Sequence, residues 1–419
     1  MNAVIASDKV VEHKEEKTYL IFVDHRFSRM AERQLQSVLP ECKLEPYKIN
    51  NNNTLNTAFF KLEAKDTSDD IPAKIKGAAS SFVDFVMPVD AIIEMGDLIE
   101  YPKIEDAISK VIDNLNYSSF KIEVKKIDRM LDRTAKSVEV RLGEDLEKRG
   151  YKADLSTPEV IAYAILLNDS VIIGHVDTQL QKEYILDSFR QANKEGGDEL
   201  NRAEFKIKEA IEFFGIDLNK HKRGLDIGAA PGGWTHYLSQ HGIKVVAVDN
   251  ALLDYKKISK GKKVLVLADE ANAPQIQKTI ASEGLIENVS VERISNQNIQ
   301  VDKYDIVHIK ANMEQNNGIE LLKRFGRFDI LAIDTNTPPL ESTTIANSLV
   351  ELLDPEASLI MTAKLITRDF SRHISTVETE LSKNYRSIQL KKLSHNRREL
   401  TAYGIFKGMA KVQAAIKGV

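Results

Sequence analysis

Apolar and polar positions change rhythm several times along the chain, and the changes mark out its elements. Tyr19-Leu20-Ile21-Phe22-Val23 is an apolar run of strand length, and an amphipathic stretch from Met30 to Leu39 follows it and stops before Pro40. The polar turn Asn50 to Asn53 separates these from another strand, Thr57-Ala58-Phe59-Phe60-Lys61-Leu62, so a small α+β unit is predicted. Phe120-Lys121-Ile122-Glu123-Val124 alternates with period two. From Ser137 to Arg149, Val138, Leu142 and Leu146 fall on one helical stripe, which Gly150 ends. Two more apolar runs, Val160 to Leu167 and Val171 to Val176, flank Asn168-Asp169 as the arms of a hairpin would.

A connecting helix is predicted from Glu183 to Gly197, running into the polar linker Lys194 to Asp198, and places a domain boundary near residues 196–200. Beyond it, strands alternate with helices: Gly224 to Ile227, Lys244 to Val248, Tyr304 to Ile309, Phe328 to Ile333, Ala357 to Ala363 and Thr401 to Phe406. This order predicts an α/β domain with a doubly wound, mostly parallel sheet, whose ligands bind at the carboxyl ends of the strands. The residues just past those ends are therefore the candidates for chemistry.

Composition narrows the class. At 419 residues and 42% apolar content the chain can bury two or three cores. Its single cysteine, Cys42, excludes an internal disulfide framework, and without a Cys/His cluster no zinc site is expected; a reducing cytoplasm is. Residues 1–17 read as a loose polar extension without the apolar run of a signal peptide, and no stretch approaches a membrane span. The net charge of −4 argues against indiscriminate coating of nucleic acid but leaves room for a local basic face.

The strongest local signal is Gly224-Leu-Asp-Ile-Gly-Ala-Ala-Pro-Gly-Gly233, followed by the strand Lys244 to Val248 tipped by Asp249. Strand, glycine turn, helix and a second strand ending in a carboxylate form half of a nucleotide-type cofactor site, with the acid placed to bond a ribose diol. The spacing is neither Gly-x-Gly-x-x-Gly nor a phosphate-binding Gly-x-x-x-x-Gly-Lys-Ser/Thr, so a pyrophosphate is not the expected load. Gly228-Ala-Ala-Pro-Gly-Gly-Trp234 resembles the S-adenosylmethionine turn of the FtsJ family of RNA ribose 2′-O-methyltransferases. The resemblance implies a Rossmann-like methyltransferase domain over residues 201–412. It also implies an S-adenosyl-L-methionine site formed by Asp226, Gly228, Ala229, Ala230, Pro231, Gly232, Gly233, Trp234, Asp249 and Asp334.

The family also carries a Lys-Asp-Lys-Glu tetrad, which falls here on Lys206, Asp334, Lys364 and Glu399. Taken singly, a lysine or carboxylate at a strand end is more often a solvated terminus than a catalyst. Two cations alternating with two anions are a more specific pattern. The reaction needs a ribose hydroxyl to attack a sulfonium methyl, so oxygen and methyl must be held in line and a proton removed. Lys364 is the candidate base, with the carboxylates orienting the amines and the ribose; no metal is required, because the leaving group is a neutral thioether. One departure stands out. The family usually follows its aspartate with a residue pair and one proline, whereas this chain reads Asp334-Thr-Asn-Thr-Pro-Pro339, a loop longer by a residue or two that puts the acceptor pocket's shape in question.

Phe120 to Val124, the basic run Lys125, Lys126, Arg129 and Arg133, Leu142-Gly143 and Ala153-Asp154-Leu155 with Pro158 resemble a THUMP domain, a module of RNA-modifying enzymes. This implies a THUMP domain at 116–180, a small ferredoxin-like α+β domain at 18–115 before it and a linker helix at 181–200 after it. RNA is then the expected partner, ribosomal RNA first and transfer RNA second. Lys125, Lys126, Arg129 and Arg133 are its candidate contacts, and Arg397 and Arg398, beside Glu399, are a second set. The competing readings are a THUMP-containing RNA base methyltransferase and a non-catalytic RNA-binding protein. Asn336 with Pro338-Pro339 faintly favours the base-methylating reading, and the intact tetrad favours ribose. Trp234 is expected to pack the start of its helix as well as flank the cofactor turn. His236, His241 and His308 read as surface or cap residues, and Asn312 as a turn residue that could meet an adenine ring.

Overall fold

A computed structural model describes residues 17–24, 27–46, 57–64, 71–77, 82–94, 100–126, 134–167, 170–178, 202–296, 298–311, 318–365, 370–393, 396 and 399–409. The extension before residue 17, the turns at Asn50–Asn53 and Asn168-Asp169 and the helix and linker expected at 183–198 lie outside those residues. The chain divides into two units, Met1–Arg190 and Gln191–Val419.

The first unit is built on one sheet of seven strands. Its elements are β1 (Lys17–Asp24), α1 (Ser28–Val38), β2 (Lys43–Pro46), β3 (Thr57–Ala64), α2 (Ile71–Gly77), β4 (Val83–Glu94), α3 (Tyr101–Asn114), β5 (Phe120–Lys126), α4 (Ala135–Lys148), β6 (Val160–Leu166) and β7 (Ser170–Asp177). The spatial order is β2-β3-β1-β4-β7-β6-β5, with only β5 and β6 parallel. The twelve residues of β4 join the two sides of this sheet: Val83 to Pro88 pair with β1, and Val89 to Glu94 pair with β7. Residue 115, the boundary expected between two small domains, follows a helix whose Ile104, Ile108 and Ile112 share a core with β5, α4, β6 and β7. Leu20, Phe22, Phe85 and Met87 on the opposite face pack with Ile161, Tyr163 and Ile165, so β6 is buried on both sides. Thr134 accepts a hydrogen bond from the Ser137 amide and caps α4, and Arg149 ties the far end of that helix to Glu105 and Asp106 of α3.

The second unit is a nine-stranded sheet with helices on both faces. After α5 (Arg202–Phe214) come β8 (Arg223–Ile227), α6 (Gly233–Gln240), β9 (Lys244–Asp249), α7 (Tyr255–Ile258), β10 (Val264–Ala268), α8 (Ala273–Ser282), β11 (Val289–Arg293) and β12 (Ile306–Lys310). Then follow α9 (Gly318–Lys323), β13 (Phe328–Ile333), α10 (Pro339–Ser348), β14 (Leu353–Lys364), α11 (Phe370–Ser382), β15 (Tyr385–Lys391) and β16 (Glu399–Phe406). The order β11-β10-β12-β9-β8-β13-β14-β16-β15 is parallel from β11 to β14, and β16 runs antiparallel to both of its neighbours. Three of these strands, β10, β11 and β15, were not expected. The first two extend one edge, and the chain returns from them to insert β12 beside β9. Sequence-adjacent β8 and β9 lie to one side of the reversal and β13 to the other, so the switch point falls at the carboxyl end of β8. Among the described residues no helix is long and apolar enough to cross a membrane.

The junction within β4 permits a stability test. A Cβ at Gly174 would lie 2.3 Å from the Pro88 carbonyl oxygen, a backbone atom that cannot swing away. Gly174→Ala should therefore cost the first unit about 3 kcal/mol or more and speed amide exchange along β4 and β7. Exchange unchanged from wild type would refute the close approach.

Candidate active site

Strand parity assembles the site. Successive side chains of a strand point to opposite faces, so residues two apart share one. On the face covered by α5 and α6, β13 presents Ile330 and Ala332 and β14 presents Ile360, packed with Ile207, Ala210, Trp234 and Leu238. The same spacing carried to the strand ends brings Asp334, then Thr362 and Lys364, onto that face. The registers align them: Ile333 stands opposite Ile227 of β8 and Met361 of β14, and Lys364 is directly paired with Glu399 across the antiparallel β14–β16 ladder. Lys206 reaches the same point from α5, whose Ile207, Ala210 and Ile211 lie in the core.

The four expected catalytic side chains meet in a closed ring of alternating charge. Lys206 Nζ is 3.1 Å from Asp334 Oδ2 and 2.7 Å from Glu399 Oε1. Lys364 Nζ bonds Glu399 Oε2 and lies 3.9 Å from Asp334 Oδ1. Lys206, Asp334 and Glu399 are nearly buried, and Lys364 is the most open of the four, at 23% side-chain exposure. Burial pushes the Glu399 carboxyl up, but the hydrogen bonds from Lys206 and Lys364 outweigh it and hold the group below the usual carboxylate range. Thr362, which the sequence reading passed over, donates to Asp334 Oδ1 at 2.7 Å; its place two residues before Lys364 on one strand face was the available signal.

The glycine turn lies against this ring. Gly228 has φ +76°, and a Cβ there would stand 2.8 Å from the Asp334 carbonyl oxygen, so only glycine fits. The Asp334 amide in turn donates to Ile227 O at 3.0 Å, which pins the aspartate to the end of β8. Gly228 and Ala229 donate to Val248 O, and Gly232, in the left-handed region, starts α6. Asp249 Oδ2 accepts from the Ala230 amide at 3.0 Å and Oδ1 from Ala251 at 2.8 Å, so the carboxylate is already oriented and each oxygen keeps further acceptor capacity. Asp226 lies beneath the turn, fully buried. Thr235 donates to its Oδ2 at 2.6 Å, whereas its Oδ1 has no partner. Burial pushes this carboxyl up to about 7 against the Thr235 hydrogen bond, and the charges of Asp334 and Asp249 add to the rise.

Trp234 is 2% exposed and packs its ring into the core at the start of α6, with residues of α5 and the sheet, as expected. Other expectations need correction. His236 and His308 are buried rather than superficial: His236 Nδ1 bonds Glu204 of α5 at 3.0 Å, and His308 bonds the Tyr255 hydroxyl. His241 is an exposed cap residue as expected, bonded to Tyr237 O. Lys125 and Lys126 end β5, and burial lowers the pKa of Lys125. Arg129, Arg133, Asn312, Arg397 and Arg398 lie outside the described residues. The chain leading to Glu399 is tied down by Lys392, whose buried ammonium bonds the carbonyls of Leu393 and Asn396, and by Asn396, which donates to Thr401 Oγ1 at 2.9 Å.

The long loop after Asp334 is held by its own hydroxyls. Thr335 and Thr337 are 2.8 Å apart, Thr337 and Ser342 are 2.9 Å apart, and Pro338 and Pro339 open α10. The loop turns back on itself beyond the aspartate, and Asp334 stays hydrogen-bonded to Ile227 of β8.

Residues 200–406 match the family described as FtsJ-like methyltransferase. The chain is 23% identical over 252 residues to ribosomal RNA large subunit methyltransferase M of Shewanella sediminis, covering 58% of this chain and 69% of that one. It is 26% identical over 179 residues to the protein of the same name from Histophilus somni, spanning 49% of that relative's length. Over 54 residues it is 44% identical to ribosomal RNA large subunit methyltransferase E of Thermoplasma acidophilum, which covers 13% of this chain and 26% of that one. Resemblance to solved structures is distant: TrmN from Thermus thermophilus has a TM-score of 0.34 at 13% identity, covering 93% of this chain and all of that one. With the glycine turn, the tipped β9 and the four-residue ring on one α/β sheet, residues 200–406 belong to the FtsJ-like methyltransferase family.

Proposed function

We propose that this protein is an S-adenosylmethionine-dependent RNA ribose 2′-O-methyltransferase acting on large-subunit ribosomal RNA. The observation that carries the reading is the ring of Lys206, Asp334, Lys364 and Glu399 at the carboxyl edge of the sheet, directly against the glycine turn. The names of the relatives, which are ribosomal RNA methyltransferases, support the choice of substrate.

The residues present suit the methyl donor. A turn whose Gly228 leaves no room for a Cβ, a preoriented Asp249 at the tip of β9 and an unpartnered buried Asp226 oxygen form a cradle for a cationic nucleoside. Gly228 to Gly233 would lie along the methionine portion and Asp249 would accept from the ribose diol. When bound, S-adenosylmethionine supplies an electrophilic methyl group on sulfur. The ring then orients the acceptor. Asp334 and Glu399 hold the two amines, and Lys364, the most open member, takes the proton from the ribose 2′-oxygen as the O–CH3 bond forms and the S–CH3 bond breaks. A lysine accepts a proton only through a free lone pair, so this role requires the amine form of Lys364.

RNA would reach this edge through contacts elsewhere. Lys125 and Lys126, with Arg129 and Arg133 in the adjoining segment, are proposed to hold the substrate through its phosphates in a THUMP-type module, and Arg397 and Arg398 to hold the phosphates flanking the target.

Three outcomes test this. Lys364→Ala and Lys364→Arg should both lose methyl transfer in a single-turnover assay while binding S-adenosylhomocysteine like wild type, since guanidinium stays charged near neutral pH; normal turnover in the arginine variant would remove the proton-acceptor assignment. Asp226 has its folded pKa raised from 3.8 to about 7, so the stability it contributes is full below 3.8 and is lost as pH rises through about 7. A cation bound nearby favours the ionised form, so affinity for S-adenosylmethionine should rise across the same window. Asp226→Asn should flatten both slopes, and a mutant whose melting and titration profiles still follow wild type would exclude Asp226 as their source. Charge reversal at Lys125, Lys126, Arg129 and Arg133 should weaken RNA binding, shallow its salt dependence and leave cofactor affinity intact. RNA bound and methylated at wild-type levels by that variant would reduce the first unit to a spacer.

A further inference from the structure

Tyr255, in the segment that follows β9, and His308 of β12 form a buried polar pair that the methyl-transfer reading does not use. His308 lies in the middle of β12, paired with Ala247 of β9 and Val266 of β10, and is fully buried. Its face of the sheet is otherwise an apolar cluster of Ala229, Ala247, Leu253, Ile258, Val264 and Val266. A valine would pack there without losing hydrogen bonds to water, whereas an imidazole without partners would leave two polar nitrogens desolvated. Both ring nitrogens are in fact engaged: Nδ1 lies 2.6 Å from Tyr255 Oη and Nε2 lies 3.4 Å from the backbone carbonyl of Asp249.

The protons on this chain can be assigned. A carbonyl only accepts, so Nε2 carries the hydrogen. Burial pushes the imidazole down to about 4, so the ring is neutral near pH 7 and Nδ1 is bare. Tyr255, whose phenol burial keeps protonated, is therefore the donor to Nδ1. The sequence of bonds runs Tyr255 O–H to His308 Nδ1, and His308 Nε2–H to Asp249 O.

What this relay holds is the second wall of the cofactor cradle. Tyr255 begins α7, the Asp254 amide before it donates to Pro231 O at 2.9 Å, and Leu253 and Ile258 pack where a Cβ on Gly232 would go. At the other end, the Asp249 carboxylate bonds the Ala230 amide. The glycine turn and the β9–α7 segment are thus stitched together at Pro231 and at Ala230, and the Tyr255–His308 pair anchors that assembly to β12.

We propose that Tyr255 and His308 are positioning residues for the methyl donor: through the Asp249 carbonyl they set where the Asp249 carboxylate meets the cofactor ribose. This rests on the reading of the second unit as an S-adenosylmethionine site. Neither residue touches the ligand; both act through Asp249.

The test is a double-mutant cycle read by calorimetric titration of the full chain with S-adenosylhomocysteine. Wild type should bind, and failure to do so would reject the cofactor reading itself rather than the relay. Tyr255→Phe removes one oxygen and should weaken binding about tenfold, the loss of one buried hydrogen bond. His308→Leu should do the same, and His308→Gln, which keeps a donor within reach of the Asp249 carbonyl, should recover part of the loss. In an Asp249→Ala background Tyr255→Phe should change affinity less than about twofold, because the group it positions is gone. Wild-type affinity in Tyr255→Phe, or the same tenfold loss with and without Asp249, would overturn the proposal; the second result would reduce the pair to general support of the fold. Should His308→Leu fail to fold, Tyr255→Phe decides the question alone.

Discussion

The charged edge of the second unit's sheet depends on a balance of buried charge. Lys206, Asp334 and Glu399 are almost withdrawn from water, and an unpaired ion in such a place costs several kcal/mol. Two cations alternating with two anions bring the sum near zero, and the depressed carboxyl of Glu399 shows that hydrogen bonds from both lysines prevail over desolvation there. This constraint dictates the rest of the site. Each carboxylate must sit between both amines, which demands that four separate elements each bring a side chain within a few ångströms of one point. The direct Lys364–Glu399 pairing across antiparallel strands and the pinning of the Asp334 amide to β8 are what supply that precision.

A ring held by register also explains what was legible in the sequence. The apolar runs of β8, β9, β13, β14 and β16 are long enough to announce strands, and the charged residue just past or at the start of each is then conspicuous. Asp334, Lys364 and Glu399 stand at such ends and could be named without coordinates, whereas Lys206, on a helix, was named through the family resemblance. Thr362 could not, because a threonine within a strand is ordinary until its parity with Lys364 and its approach to Asp334 are known. His308 was misread for a related reason. Within Ile306-Val-His-Ile-Lys310 a lone histidine resembles an interruption, and only the Ala247 opposite and the tyrosine fifty-three residues away make it a buried partner. β10 and β11 were not anticipated, and their displacement outside β12 is a long-range fact that no local window carries.

The first unit shows the same limit on a larger scale. Its strands and helices β1, α1, β3, β5, α4, β6 and β7 follow the pattern of apolar positions closely. That β4 pairs with β1 along one half and β7 along the other, giving a single sheet across residue 115, is not encoded in any local window. Such a strand needs a close approach where the partners change, and Gly174 against the Pro88 carbonyl provides it. The glycine is visible in the sequence, but the neighbour that makes it necessary is not.

The contact between Gly228 and Asp334 joins the glycine turn to the charged ring. The two belong to the ends of different strands, β8 and β13, yet their backbones meet with no room for one carbon atom between them. A shift in the turn must therefore move the ring, and a shift in the loop after Asp334 would move the turn. The Thr335 to Pro339 loop closes on itself instead: its hydroxyls bond to one another and to Ser342, and its prolines start α10, so it forms its own compact turn. Asp334 itself stays anchored to Ile227, while Asn336 and Leu340 beyond it are exposed. Side chains at this exposed rim can change without moving the ring at its base, because the backbone contacts of Asp334 with Ile227 and Gly228 hold it in place.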